Sequence, residues 1–347
     1  MKIRTIGICN AQVPFVRGGI EIQAESLQQQ LNERGYKTEM IRLPFKWYPK
    51  IEIIRSALAW RFLDLTESSG LKIDLLICFK FPSYVVKHPN KVIWLPHQFR
   101  QIYDLLGTPY SDFTDSPEDK ESREWIINID NKTFAESRRI FSTSKNVANR
   151  LLKFNKLKVE SLYPPPKHKG SYYNQKYGDY IFSAGRFDSC KRFELLIEAM
   201  RFTASKATCL IAGEGQERES LEKLAGESGV LDKVKFLGWV DDKELLRLYA
   251  NAFAVFYAPF DEDYGYITVE AFESQKPVIT THDSGGPLEF VEDNQNGFIT
   301  SGQPREIAAK IDHLYANKDL CRKFGMNGYD RVKNITWDKV IRELLCE

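Results

Sequence analysis

At 347 residues the chain exceeds one ordinary domain and suits two, each large enough to bury a core. Hydrophobic residues make up 43% and charged residues 28%, an ordinary soluble globular balance. A net charge of +2, from 49 basic and 47 acidic residues, gives no basis for nucleic acid as the main partner.

The opening MKIRTIGICN mixes charged and apolar residues without a continuous apolar core, so it reads as a first strand and not a signal peptide. No apolar run approaches membrane-spanning length, and any membrane association is expected to be peripheral. A loop ending in Arg17-Gly18-Gly19 leads to a helical pattern over about 20–34, Gly35 stops it, and 37–43 returns to strand. At Gly18 and Gly19 the backbone can approach a phosphate or sugar closely; a tight turn explains the same pair. Residues 44–65 mix Trp47, Tyr48, Trp60 and Phe62 with Lys46, Lys50, Arg55 and Arg61. They suit either a lipid headgroup interface or an amphipathic helix with its aromatics in the core. Strands follow at 74–79 and 92–95, the second ending in Pro96-His97-Gln98. His97 thus stands at a strand's carboxyl end, where parallel sheets deliver ligand-binding side chains, although a lone histidine is also commonly structural.

Residues 108–119 read as a mobile polar loop, followed by a helix at 117–138, a strand at 139–142, a helix at 146–154 and a strand at 159–163. Pro164-Pro165-Pro166 and the polar run to Asn174 form the best linker, and the domain boundary is placed there. The second half opens with a strand at 180–184, then Gly185-Arg186, then Lys191-Arg192 before a helix at 193–201. Arg186 and Lys191 flank a strand-to-helix loop, where two cations would neutralise a diphosphate without a metal; a solvated basic turn is the other reading. After the strand at 208–212, GEGQER places Arg218 where a dinucleotide fingerprint needs its third glycine, against a nicotinamide enzyme. A strand at 234–240, a helix at 244–251 and a strand at 254–258 continue the alternation of a doubly wound parallel sheet.

The run DEDYGYITVEAFESQKPVITTHDSGG, residues 261–286, carries Glu262 and Glu270 on either side of a glycine-led helix start. Backbone N–H groups near Gly265 would point out of that helix end at an anion, with one acid gripping each end of the bound molecule. A strand at 277–281, Gly285-Gly286, a helix at 287–291 and a strand at 298–300 follow. The remainder, from about 304, reads as helical, with Trp337 opening a terminal amphipathic helix that runs to the end. Cys9, Cys78, Cys190, Cys209, Cys321 and Cys346 form no CxxC pair or Cys/His cluster, so buried thiols in a reducing cytoplasm are expected.

Taken in order, Gly18-Gly19, His97, Gly185-Arg186 with Lys191, Gly213-x-Gly215, the EDYGYITVE signature and Gly285-Gly286 resemble the retaining GT-B glycosyltransferases of family 4. The resemblance covers almost the whole chain. It implies an α/β GT-B fold of two doubly wound Rossmann-like domains facing across a crevice. The N-terminal domain, 1–165, would bind acceptor; 166–335 would bind the nucleotide-sugar donor; a helix at 336–347 would cross back to the N-terminal domain. By the same resemblance Glu270 would hold the ribose hydroxyls, and Glu262 with the backbone of Tyr264, Gly265, Tyr266 and Ile267 would hold sugar and diphosphate. Arg186 and Lys191 would stabilise the departing diphosphate. Gly213, Gly215 and Val240 would border the base, Gly18 and Gly19 would close over the phosphates, and His97 would face the reacting sugar. The DxD spelled by Asp261-Glu262-Asp263 reads as incidental, so no metal or other cofactor is expected. One departure is Asp263, which replaces the first glycine of the family's glycine-aromatic-glycine pattern and unsettles the detailed sugar contacts.

The implied activity is transfer of a hexose, with retention, from a nucleoside diphosphate sugar to a saccharide or lipid-linked saccharide in polysaccharide or glycolipid biosynthesis. A UDP-sugar such as UDP-glucose is favoured over GDP-mannose. A NAD-dependent oxidoreductase and a non-catalytic sugar-nucleotide binder are the alternatives from other classes. The expected location is cytoplasmic, with peripheral contact at the inner face of the cytoplasmic membrane.

Overall fold

The computed structural model describes residues 3–345, so Cys346 and the last two positions of the expected terminal helix lie outside the described residues. The chain divides into two compact units, Met1–Lys167 with Thr336–Glu347, and His168–Ile335.

The first unit begins with β1 (Thr5–Gln12), α1 (Gly19–Glu33), β2 (Lys37–Pro44) and α2 (Ile51–Phe62). A two-residue hairpin not anticipated from sequence, β3 (Glu67–Ser68) with β4 (Leu71–Lys72), precedes β5 (Leu75–Cys78) and β6 (Lys91–Leu95). Then come α3 (Pro117–Ala135), β7 (Arg139–Ser142), α4 (Lys145–Asn155) and β8 (Glu160–Ser161). The sheet is parallel throughout, in the order β2-β1-β5-β6-β7-β8. Its strands are near-continuous apolar runs because both faces are covered. Cys9, Leu76, Cys78, Ile93 and Leu95 face a core with Ile53 and Trp60 of α2, Phe134 of α3 and Leu151 of α4. Ile6, Ile8, Leu75, Ile77, Val92 and Trp94 face the opposite core with Leu27 of α1.

That second core is completed from the other end of the chain. Helix α11 (Trp337–Leu345) buries Trp337, Val340, Ile341, Leu344 and Leu345 there, at the three- and four-residue spacing of one helix face. The rings of Trp337 and Trp94 meet edge to face with centroids 6.3 Å apart.

Two local expectations change. The loop at 108–119, expected to be mobile, is tied down: Phe113 is buried against the edge of Phe99, and Asp119 accepts from the Thr114 backbone and hydroxyl at 2.6 and 2.7 Å. Helix α2 sorts its aromatics to both sides. Trp60 enters the core, whereas Phe62 is 82% exposed and shares the outer side with Ile51 and Leu58.

The second unit runs β9 (Tyr180–Ala184), α5 (Phe193–Met200), β10 (Thr208–Ala212), α6 (Arg218–Glu227), β11 (Val234–Gly238), α7 (Asp242–Asn251) and β12 (Ala254–Phe256). It continues with α8 (Tyr266–Glu273), β13 (Val278–Thr281), β14 (Gly297–Thr300), α9 (Pro304–Ala316) and α10 (Lys318–Val332). Residues 286–289 form a 3-10 turn where an α-helix was expected; Gly285 and Pro287 limit it to one turn. The sheet order is β11-β10-β9-β12-β13-β14, again all parallel. Among the described residues no helix is long and apolar enough to cross a membrane. Cys9, Cys78, Cys209 and Cys321 are buried thiols outside any disulfide, and Cys190, also outside any disulfide, is half-buried.

Candidate functional site

The chain lays β10 and β11 on one side of β9 and returns with β12 on the other, so the direction of winding reverses between β9 and β12. At such a reversal the loops leaving the two carboxyl ends diverge and open a crevice. The loop after β9 carries Arg186, Lys191 and Arg192; the loop after β12 carries Tyr257 and Glu262.

A 3-10 turn, Ser189–Lys191, brings the Lys191 ammonium onto the Glu262 carboxylate and to 3.4 Å from the Tyr257 hydroxyl. Tyr257 in turn donates to Glu262 Oε2 at 2.9 Å. Burial works against the Lys191 charge, but attraction to Glu262 outweighs it and raises the pKa, so the ammonium stays charged. Burial, then the Glu262 charge, raises the Tyr257 phenol, which stays a donor.

Arg192, left-handed at φ 52°, ties this loop to its neighbours. Its guanidinium donates to the carbonyls of Ala258 and Pro259, to Thr281 Oγ1 and to both oxygens of Asp283, at 2.7 to 3.0 Å. Glu262 is fixed through its backbone as well: its N–H donates to Ser284 O at 3.0 Å and its carbonyl accepts from Gly286 N–H at 2.7 Å.

Helix α8 starts directly after Gly265, whose φ is 84° and where an added Cβ would lie 2.9 Å from Pro287 Cγ. Gly265 has no side chain with which to cap this end, and the helix dipole puts its positive pole here, as an anion requires. One turn in, Glu270 accepts from Tyr249 Oη at 2.7 Å. Burial, followed by the charge of Glu270, raises the phenols of Tyr249, Tyr172 and Tyr266.

Arg186 is the outlying member, 58% exposed at its side chain and paired with Asp188 at 2.8 Å. Gly213 and Gly215 have an evident packing duty. A Cβ on Gly213 would stand 1.8 Å from Gly185 O, and one on Gly215 2.3 Å from Phe187 O, so the two glycines seat the loop that bears Arg186. Val240 is half-buried beyond β11, next to Trp239, which is 74% exposed.

Gly18, Gly19 and His97 belong to the first unit. The Gly18 N–H caps α1 by donating to Glu21 Oε2 at 2.9 Å, and Lys80 Nζ meets Glu21 Oε1 at 2.7 Å. Burial opposes the Glu21 charge, but Lys80 and the Gly18 bond lower its pKa. His97 follows β6, with Nδ1 2.6 Å from Gln98 O. Among the described residues no three His, Cys, Asp or Glu side chains gather as a metal site would need.

Sequence reasoning missed Tyr249, Tyr257, Arg192, Asp283, Glu21 and Lys80 as members of these clusters. The tyrosines read as apolar filling of a helix and a strand, and their hydroxyl partners lie elsewhere in the chain. Arg192, beside Lys191 in a left-handed turn, was the most discoverable.

Residues 167–331 match the family model described as glycosyl transferases group 1. The lipopolysaccharide core biosynthesis glycosyltransferase LpsE of Rhizobium meliloti is 31% identical over 151 residues, 43% of this chain and 43% of its own. Human alpha-1,3/1,6-mannosyltransferase ALG2 is 28% identical over 169 residues, 44% of this chain and 40% of its own. The match thus spans less than half the length of these curated relatives. Among solved structures, a sucrose-phosphate synthase from Thermosynechococcus elongatus covers 99% of this chain and 98% of its own, with TM-score 0.76 and 18% identity. Anabaena HepE, solved with UDP and glucose, gives 0.72 and 16% over 99% and 98% of the two chains. At these identities the structures show a shared fold, GT-B. Residues 167–331, just under half of this chain, are thus similar to the glycosyl transferases group 1 family.

Proposed function

We propose that the protein is a retaining, metal-independent hexosyltransferase that takes a nucleoside diphosphate sugar, UDP-glucose first, and transfers its sugar to a saccharide or lipid-linked saccharide. The carrying observation is the convergence of Lys191, Tyr257 and Glu262 at the winding reversal of the second sheet, beside the glycine-led start of α8. In this reading the diphosphate lies against that helix end and competes with Glu262 for the Lys191 ammonium, and Arg186 swings from Asp188 to join it. Glu262, once relieved of Lys191, accepts from sugar hydroxyls, and Glu270 accepts from the ribose. No protein nucleophile is required if the acceptor attacks on the face that the diphosphate leaves and the leaving phosphate takes the acceptor's proton. We assign acceptor recognition to the first unit, with His97, Gly18 and Gly19 contributing there.

The UDP complex of HepE supports a uridine donor, and the mannosyltransferase activity in the name of ALG2 keeps GDP-mannose as the second reading. A thermal-shift panel of UDP, GDP, ADP and NAD tests both. UDP should raise Tm; a shift by GDP alone moves the reading to mannose, and a shift by NAD alone overturns it. Arg186→Ala and Glu270→Ala should each abolish transfer while leaving the fold intact, and wild-type rates in both would refute the assignment.

We place the protein in the cytoplasm with peripheral contact at the membrane. The outward Tyr48, Ile51, Leu58 and Phe62 support this, and failure to sediment with anionic vesicles at low salt counts against it.

A further inference from the structure

Both acids of the candidate site accept from a buried tyrosine, and Glu262 also meets the Lys191 ammonium. Tyr249 donates to Oε2 of Glu270 at 2.7 Å, and Tyr257 donates to Oε2 of Glu262 at 2.9 Å. A carboxylate can hold a sugar diol only if its plane is set against two hydroxyls at once, and an exposed glutamate with three rotatable bonds has no fixed plane. A buried phenol on one oxygen removes that freedom before substrate arrives, so less ordering remains for binding to impose.

Each phenol is itself buried. Tyr249 is fully buried on α7, its ring packed edge-on against Phe182 at 5.0 Å between centroids. Tyr257 is buried directly after β12, with its hydroxyl between Lys191 and Glu262. Neither hydroxyl is demanded by the fold, since a phenylalanine would fill the same volume. Burial and the neighbouring carboxylate keep both phenols protonated and therefore donating.

We infer that Tyr249 and Tyr257 are positioning residues, Tyr249 orienting Glu270 towards the ribose diol and Tyr257 orienting Glu262 towards the hexose hydroxyls of a nucleoside diphosphate sugar. This rests on the donor assignment above and adds the residues that sharpen it. The two tyrosines serve different parts of the ligand, so their effects are separable. Tyr249→Phe weakens recognition of the ribose and leaves recognition of the hexose. Tyr257→Phe does the reverse.

The test is calorimetry on the full chain with UDP, 2′-deoxy-UDP and UDP-glucose, or the guanosine counterparts with GDP-mannose if the panel selects GDP. Wild type should bind UDP more tightly than 2′-deoxy-UDP, and Tyr249→Phe should shrink that ratio by about tenfold, the value of one hydrogen bond to a charged group. Its ratio of UDP-glucose to UDP affinity should stay as in wild type. Tyr257→Phe should change the second ratio and spare the first. A variant that merely loosens the fold would weaken all three ligands alike, which overturns the inference, as do unchanged ratios in both variants. If wild type binds no nucleotide, the donor assignment fails and the inference falls with it; if wild type binds and only the ratios disobey, the inference alone is overturned. Should either variant unfold, Tyr249→Leu or Tyr257→Leu has no donor and must move the same ratio.

Discussion

Arg192 and Asp283, 91 residues apart in sequence, close in a two-pronged ion pair, Nη1 to Oδ2 at 2.8 Å and Nη2 to Oδ1 at 2.7 Å. The same guanidinium reaches two carbonyls after β12 and the Thr281 hydroxyl, so one side chain joins the loops that follow β9, β12 and β13. Its hydrogen bonds hold the Asp283 carboxyl at about 2, against a partial burial that works the other way.

Replacing Arg192 by Ala should therefore destabilise the second unit by about 3 kcal/mol, because it strands a carboxylate and several carbonyls together. Arg192→Lys should recover less than half of this, since an ammonium cannot fork. Urea midpoints of the three proteins check it. The pH dependence has a fixed sign: the folded pKa of Asp283 is depressed, so the contribution is present above its ordinary 3.8 and is lost as pH falls towards about 2.

Asp130 predicts the opposite slope. This fully buried carboxyl on α3 accepts from Tyr84 at 2.9 Å and Tyr103 at 2.7 Å, yet burial dominates and pushes its pKa up to about 7. A raised folded pKa gives stability that is complete below the ordinary 3.8 and is lost as pH rises through about 7. Wild type should lose on the order of 3 kcal/mol between pH 4 and pH 8 from this group, and Asp130→Asn should flatten that part of the profile. Denaturation across the range decides it; an equal slope in both proteins rules Asp130 out as its source.

Two glycines with positive φ should respond very differently to Ala. At Gly213 the new Cβ meets Gly185 O at 1.8 Å, so β9 and β10 would have to part at their carboxyl ends, at about 3 kcal/mol or more. At Gly35 nothing lies within 4 Å, and only the φ of 86° resists, so the loss should be about 1 kcal/mol. Thermal melts of the two variants compare them directly.

The elements that build the site were legible because their signals are local. The strand at 180–184, the helix beginning at Phe193 and the strand at 208–212 coincide with β9, α5 and β10, each marked by an apolar run bounded by glycine or a charged turn. The helix at 287–291 failed for a local reason too, since a glycine-proline start supplied an N-terminal signal but not the length. The partners of the acids were not legible. Glu262 and Glu270 stand out beside Gly265, whereas Tyr257 reads as strand filling and Tyr249 as the apolar side of a helix.

By itself the sequence determined the alternation of strand and helix, the glycine-led start of α8, the positions of both acids and the cations ahead of them. All of these depend on neighbours a few residues away, where periodicity and backbone freedom decide the outcome. Only the tertiary structure decided that Lys191 pairs with Glu262 while Arg186 stays with Asp188, that Gly213 and Gly215 pack a neighbouring loop, and that α2 turns Phe62 outward. Those outcomes depend on which strands lie side by side. The order β10-β9-β12 brings together loops some 70 residues apart, and no period within the chain encodes which side chain then meets which.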